Sequence, residues 1–202
     1  PTIMAMGVAR PSASGQATVS PALLFGRASN DDLELYTPDM LALSAARAAR
    51  DIAAWDGSAA KIAVEGIEGV EPEGVPVSVL TVTDRNMPFL YDSVMGEVTS
   101  THRDIHLAIH PILVVTPGEA PKLFSPEEES DPSHRVSHIQ IHLTKLAPVE
   151  AEQLSNRIRD VLEQVHQTVH DWPAMTTLLD QAMSELETYN ATRKKSDRDE
   201  AQ

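Results

Sequence analysis

The sequence contains no cysteine. Disulfides, thiolate nucleophiles and cysteine-ligated metal sites are therefore excluded. Aromatic residues make up only 4% of the chain, so the core has to be built from Leu, Ile, Val, Ala and Met. Positive charge is also scarce, with 16 Lys+Arg against 30 Asp+Glu and a net charge of −14. A phosphate-backbone partner needs clustered basic side chains, and an anionic bilayer needs the same. The composition thus argues against nucleic acid and against a membrane surface. No apolar run approaches the roughly 18 residues of a membrane span. The first ten residues lack a basic stretch followed by a long apolar one, so no secretory signal is read and the cytoplasm is the default compartment. No G-x-G-x-x-G follows a strand, so no dinucleotide pyrophosphate site is visible. Lysines are few, and none has the glycine-rich or acid-paired setting of a catalytic amine. There is no Ser/His/Asp triad and no pair of converging carboxylates, so no catalytic residue is assigned.

What is present is a chain of 202 residues, long enough to bury roughly 70% of its unfolded surface without a metal or disulfide. The most informative stretch runs from Val77 to Val115. Val77, Val79 and Val82 lie in a β-branched run ending at Thr83. Asp84-Arg85-Asn86 is turn chemistry, because short polar side chains bond nearby backbone. Pro88 suits the first turn of a helix, and Leu90, Val94 and Val98 recur on one helical face. Strand alternation follows, with Ile105, Leu107 and Ile109 on one side and His106, Ala108 and His110 on the other.

Upstream, residues 1–20 read as a flexible tail. Pro21 to Gly26 is a short apolar patch, and Asp31 to Tyr36 has room for one helical turn. Thr37 caps a helix that has Pro38 at its first position and Asp39 in its first turn. Leu41, Ala45, Ala48 and Ile52 line one side of it, and Gly57 ends it. Lys61 to Ile67 is a strand candidate, and Glu71 to Gly74 a turn.

Downstream, residues 117–132 form a long loop with four prolines and the acids Glu127, Glu128 and Glu129, which read as solvated. Arg135 to Thr144 alternates again, Ile139, Ile141 and Leu143 against His138, Gln140 and His142. Pro148 opens the strongest helix, with the stripe Leu154, Ile158, Val161, Val165 and Val169. Pro173 is expected to break or kink it, and a last helix follows with Leu178, Leu179, Ala182 and Leu186 inward. Residues 191–202 are expected to fray. The divisions expected are a tail at 1–20, a helical segment at 21–57, an α+β domain at 58–171, a C-terminal helix at 172–190 and a frayed end at 191–202. The fold class is α+β: an antiparallel sheet with helices on one face, a ferredoxin-like sandwich, plus flanking helices.

Two clusters are candidate sites. Asp84, Arg85 and Asn86 precede a helix N-terminus, which attracts carboxylates; the structural alternative is that Asp84 or Asn86 caps that helix. His106, His110, His138 and His142 are expected on one face of adjacent strands. That arrangement suits a half-covered face for docking another domain or a second copy, or else a metal site or pH switch. His166 and His170 have the one-face spacing of a helical metal pair but lack a third ligand.

The order strand, Asp-Arg turn, helix, strand resembles the opening of an ACT domain, a family that commonly binds amino acids and regulates metabolic enzymes. More specifically, Thr83-Asp84-Arg85-Asn86-Met87-Pro88-Phe89-Leu90-Tyr91-Asp92-Ser93-Val94 and Ile105-His106-Leu107-Ala108-Ile109-His110-Pro111 resemble the N-terminal region of the large NAD-specific glutamate dehydrogenases of bacteria. Gly26-Arg27-Ala28-Ser29 with Asp32-Leu33, and Asp171-Trp172 with Met175, are similar to further segments of it. The resemblance spans about residues 22–190. It implies an N-terminal fragment with a regulatory or architectural role, holding no cofactor itself, in a parent that uses NAD to oxidise L-glutamate. The implied partners are the parent's remaining domains, other copies in a homo-oligomer and an amino-acid effector at Asp84, Arg85 and Asn86. Effector-binding ACT domains carry glycine after the Asp-Arg turn, where this chain has Met87-Pro88-Phe89. The competing reading is a free-standing ACT-like amino-acid sensor or interaction module.

Overall fold

The computed structural model describes residues 19–116 and 119–199, with side chains to residue 189. The chain divides into two units, residues 1–162 and 163–202. The first holds an antiparallel six-stranded sheet in the order β1-β2-β6-β4-β5, with β3 also paired to β6. Its elements are α1 (Pro21–Phe25), α2 (Asn30–Leu33), α3 (Pro38–Ala53), β1 (Lys61–Glu65), β2 (Val77–Arg85), α4 (Leu90–Ser100), β3 (Ile105–Ile109), β4 (Ile112–Val114), β5 (Lys122–Leu123) and β6 (Arg135–Thr144). The last helix, α5, runs Pro148–Asp199.

The sheet is built on its two longest strands. β2 and β6 pair from Val77↔Thr144 to Arg85↔Val136. On one face Leu80, Val82, Ile139, Ile141 and Leu143 meet Leu90, Val94 and Val98 of α4 and Leu154, Ile158 and Leu162 of α5. Burying each such side chain contributes about 1.5–3 kcal/mol, so this layer is one of two apolar cores. On the other face Val77, Val79, Leu107 and Ile109 meet α1, α2 and α3 through Leu24, Phe25, Leu33, Leu41, Ala45, Ala48 and Ile52. The flanking N-terminal helices therefore form a second helical layer. With β3 and β4 counted as one strand broken at Pro111, both paired to β6, and the two-residue β5 set aside, the order from β2 to α5 is the βαββα of a ferredoxin-like sandwich. The closing strand of such a repeat would pair beside β2, and β1, delivered from the N-terminal side, takes that place.

Local chemistry sets the ends of these elements. Thr37 caps α3, its hydroxyl accepting the Met40 N–H at 3.3 Å with Pro38 in the first turn. Ala147 caps α5 through its own N–H, which donates to Glu150 Oε2 at 2.8 Å, the return half of a capping box. Burial runs the opposite way but is outweighed: that bond and the nearby Arg103 hold the Glu150 carboxyl below its ordinary range.

Several expectations change. α4 begins at Leu90 with Phe89 as its cap, so Pro88 lies in the preceding turn. The loop after β4 contains β5, which returns to pair Leu113↔Leu123. Pro173 lies inside α5, which continues helical to Asp199. A second, inward-facing C-terminal helix is therefore not formed: Leu178, Leu179 and Leu186 are 60% or more exposed. Most of the expected N-terminal tail lies outside the described residues, though Val19 is buried.

Candidate functional site

β3 decides which histidines share a face. It pairs with β6 so that Leu107 lies opposite His142 and Ala108 opposite Ile141, and an irregularity shifts the register between Ile105 and Leu107. Directly opposite residues share a face. The face of Leu107 is therefore the face of His142, and His110, three residues on, belongs to the other. The bulge also lets His106 stay on the His142 side, where its Nε2 lies 3.4 Å from Thr144 Oγ1. The four histidines are thus divided three to one.

Nor is their face open. His138 and His142 are fully buried beneath α2, α3 and the segment around Tyr36. His138 Nδ1 shares a 2.9 Å hydrogen bond with Thr83 Oγ1, and His142 Nδ1 one of 2.9 Å with the Tyr36 hydroxyl. Burial holds both imidazoles neutral, lowering His138 to about 4 and His142 to about 3. The same burial pushes the Tyr36 hydroxyl up. Alongside them, Arg47 Nε donates to Asp51 Oδ2 at 2.7 Å and Thr81 Oγ1 donates to the same oxygen at 3.0 Å. Arg47 also reaches Glu65 on β1 at 2.5 Å. This network ties α3 to β1 and β2. The expectation of a docking face through His138 and His142 is corrected: the chain's own helices cover it. Sequence reading missed Arg47, Asp51 and Tyr36; the signal was two charges spaced four apart on the apolar side of α3.

The Asp84-Arg85-Asn86 loop is also committed internally. Asp84 is buried, and its Oδ1 accepts the Arg85 N–H at 2.8 Å. Arg85 Nη2 donates to the Gly57 carbonyl at 2.8 Å. Asn86 Oδ1 accepts from Ser137 Oγ at 3.0 Å, and Ser137 Oγ in turn lies 3.1 Å from His110 Nε2. With the serine hydroxyl donating to Asn86, His110 Nε2–H is the donor to serine. Neither Asp84 nor Asn86 takes the N-cap position of α4. Phe89 does so without a side-chain bond, at φ 66° in the left-handed region. That conformation is one a glycine would adopt without strain, so the backbone keeps the form of the glycine position while the side chain stands 56% exposed.

The Asn86–Ser137–His110 chain ends at a cavity of about 240 Å³ between α1, α4 and the β3–β4 break at Pro111. His110 stacks on Tyr91 there, ring centroids 5.0 Å apart and planes 9° from parallel. Burial lowers the His110 imidazole, with the nearby Asp92 charge acting against it. Burial and Asp92 together raise the Tyr91 hydroxyl. Arg27 supplies a cation at the cavity wall and Leu24 and Leu123 supply apolar wall. The Asp84-Arg85-Asn86 loop itself lines none of it; its link runs through Ser137. Such a cavity has space for a small ligand with an anionic group, and it places no nucleophile beside a base. Among the described residues no three His, Asp or Glu converge as a metal site, and no helix is long and apolar enough to cross a membrane.

An open antiparallel sheet carrying helices in this βαββα order defines an α+β domain of the ACT-like class. Residues 22–158 match the family described as "Glutamate dehydrogenase, ACT1 domain", and the chain belongs to that family. It is also 32% identical over 118 residues to the NAD-specific glutamate dehydrogenase of Halomonas elongata. That alignment covers 56% of this chain but 7% of the relative. No solved structure matches the chain.

Proposed function

We propose that this chain serves as the N-terminal regulatory or architectural domain of an NAD-dependent glutamate dehydrogenase. The parent reaction would be L-glutamate, NAD⁺ and water giving 2-oxoglutarate, ammonium, NADH and a proton. The observation that carries the reading is the family match across the sheet and both its helical layers. Supporting it, the polar groups that looked chemical in sequence are consumed inside the fold, which suits a domain that holds shape rather than reacts. In this reading NAD and substrate bind in other domains, which are its partners together with other copies of a cytoplasmic homo-oligomer. The test is to delete residues 22–190 from the full-length dehydrogenase and compare activity, effector response and assembly state with the intact enzyme. Loss of assembly or of effector response is expected. A deletion enzyme indistinguishable from the intact one would defeat the proposal.

A free-standing amino-acid sensor is the second reading, and the Arg27–His110 cavity is what favours it. A ligand carboxylate would pair with Arg27 and an aliphatic side chain would lie on Leu24 and Leu123. Calorimetry of the 202-residue chain against the common L-amino acids tests it, with Arg27→Ala as the control. Silence across the set rejects the sensor.

A further inference from the structure

The cavity between α1, α4 and Pro111 has one charged side chain in its wall, Arg27. The chain carries 30 Asp+Glu against 16 Lys+Arg, yet this guanidinium makes no hydrogen bond or ion pair with any described residue. Leu23, Leu24, Ile109 and Leu123 make much of the wall apolar. At about 240 Å³ the space is smaller than the roughly 300–1,000 Å³ of a pocket for a drug-sized ligand. A matching ligand is small, with one anionic head on an aliphatic body.

His110 narrows the ligand further. Its Nε2–H donates to Ser137, so the neutral ring carries its lone pair at Nδ1. Nδ1 has no hydrogen-bond partner among the described residues. A lone pair repels a carboxylate, whereas an N–H at the same place donates to it. A carboxylate held by Arg27 in the same cavity therefore favours a second proton on His110. The surrounding groups decide the balance. Asp92 on α4 favours the charged ring and burial opposes it. Arg27 on α1 is a like charge that a bound carboxylate neutralises. Tyr91 stays a neutral phenol, and His138 on β6 stays neutral by burial. Asp84, opposite Ser137, accepts the Arg85 N–H, and Lys122 on β5 is paired with Glu119. With a carboxylate bound, Arg27, protonated His110, Asp92 and the ligand sum to zero charge. An α-ammonium would enter beside Arg27 and compete with that proton, and the wall holds no carboxylate to receive it.

We propose that this cavity binds a small aliphatic carboxylate lacking an α-ammonium, held by Arg27, and that His110 takes up a proton at Nδ1 as the ligand enters. The proton comes from solvent, so chain, carboxylate and one proton give the complex. The proposal rests on the cavity of the sensor reading but departs from it in the ligand, and it does not depend on the dehydrogenase reading.

The probes are 4-methylpentanoate and L-leucine, which share a carbon skeleton and differ in the ammonium. Each is titrated by calorimetry into the full 202-residue chain at pH 6.5 and 7.5. Two buffers of unlike ionisation enthalpy are used, so that proton uptake is counted. Saturable binding of 4-methylpentanoate is expected, about fivefold tighter at pH 6.5 than at pH 7.5, with uptake of up to one proton. L-Leucine should bind at least about tenfold more weakly, the equivalent of one unpaired charge. Arg27→Gln, an exposed change, should abolish binding. His110→Gln keeps an N–H for Ser137 and should remove the pH dependence and the proton uptake. No binding of 4-methylpentanoate, equal affinity for L-leucine, or equal affinity at the two pH values in the unaltered chain overturns the proposal. Silence of the amino acids alone rejects the sensor and leaves this proposal standing.

Discussion

Lowering the pH from 7.5 to 5 should remove about 4 kcal/mol of stability through two buried histidines. An unperturbed imidazole titrates near 6.5. Burial lowers His138 to about 4 and His142 to about 3. Between these values and 6.5 the unfolded chain binds a proton that the folded one refuses. Stability is therefore fully present above pH 6.5 and is lost as pH falls below it. Each pH unit is worth about 1.4 kcal/mol per group. Over the 1.5 units from 6.5 to 5, each histidine costs about 2 kcal/mol, against a total stability of about 5–15 kcal/mol. The groups facing them do not reverse the sign. Asp51 favours the charged form of His138, but burial outweighs it, and Arg47 and His110 act with burial. His106 acts with burial at His142.

Other groups are separable. Asp56, Asp131 and Glu150 have lowered carboxyls, so their contribution is lost only below the ordinary carboxylate range of about 4. His110 is lowered too and adds loss of the same sign. Urea unfolding by circular dichroism at pH 7.5, 6.5, 5.5 and 5 reads the effect. With an m value of about 2 kcal/mol/M, the midpoint should fall by about 2 M. His138→Gln and His142→Gln should each flatten the pH dependence by about 2 kcal/mol while lowering stability at pH 7.5. A midpoint that holds steady to pH 5, or an unchanged slope in both variants, would refute the burial of these rings between sheet and helices.

Three further outcomes test the local structure. Asp51→Ala should cost about 3 kcal/mol by urea unfolding at pH 7.5, because it strands the buried Arg47 and the Thr81 hydroxyl; a loss below 1 kcal/mol would mean that Glu65 alone satisfies the guanidinium. Phe89→Gly should raise stability by about 1 kcal/mol, since the exposed ring gives up little and the left-handed backbone strain is relieved; a destabilised variant would show that the ring is covered. Thr37→Ala should cost about 1 kcal/mol through the lost cap on Met40 N–H, and a neutral result in thermal melts would place the start of α3 elsewhere.

The sequence made some of this legible and hid the rest for identifiable reasons. β2, α4 and the start of α5 were readable because their apolar side chains repeat at one period with nothing interrupting it. Thr37-Pro38 and Pro148 were readable because caps act over three residues. The histidine face was misread because alternation fixes faces only along an unbroken strand, and β3 is irregular between Ile105 and Leu107. Between strands, register decides, and the shift between Ile105 and Leu107 leaves no mark in composition. The polar row His138, Gln140 and His142 then looked like a surface, because polar side chains alternating with Ile and Leu usually are one. Here α3 brings Arg47, Asp51 and Ser44 to meet that layer, and a buried polar row needs just such partners. The layer is not fully matched, however. Ser44 Oγ, His138 Nε2, Gln140 Oε1 and His142 Nε2 all lack a protein partner in the same interlayer. Each such group would cost about 1–3 kcal/mol if dry, and polar sites of this kind hold ordered water.

The end of α5 shows the converse limit. Its stripe was read as inward because an amphipathic face has to be buried somewhere. Periodicity reports that a face wants covering, but it carries no information about whose side chains cover it. Leu154, Ile158 and Leu162 find their cover on the sheet of the first unit, while Trp172, Met175, Leu179, Leu186 and Tyr189 are exposed. One helix thus carries two apolar stretches of the same period, one covered within the first unit and one exposed, and period alone does not tell them apart.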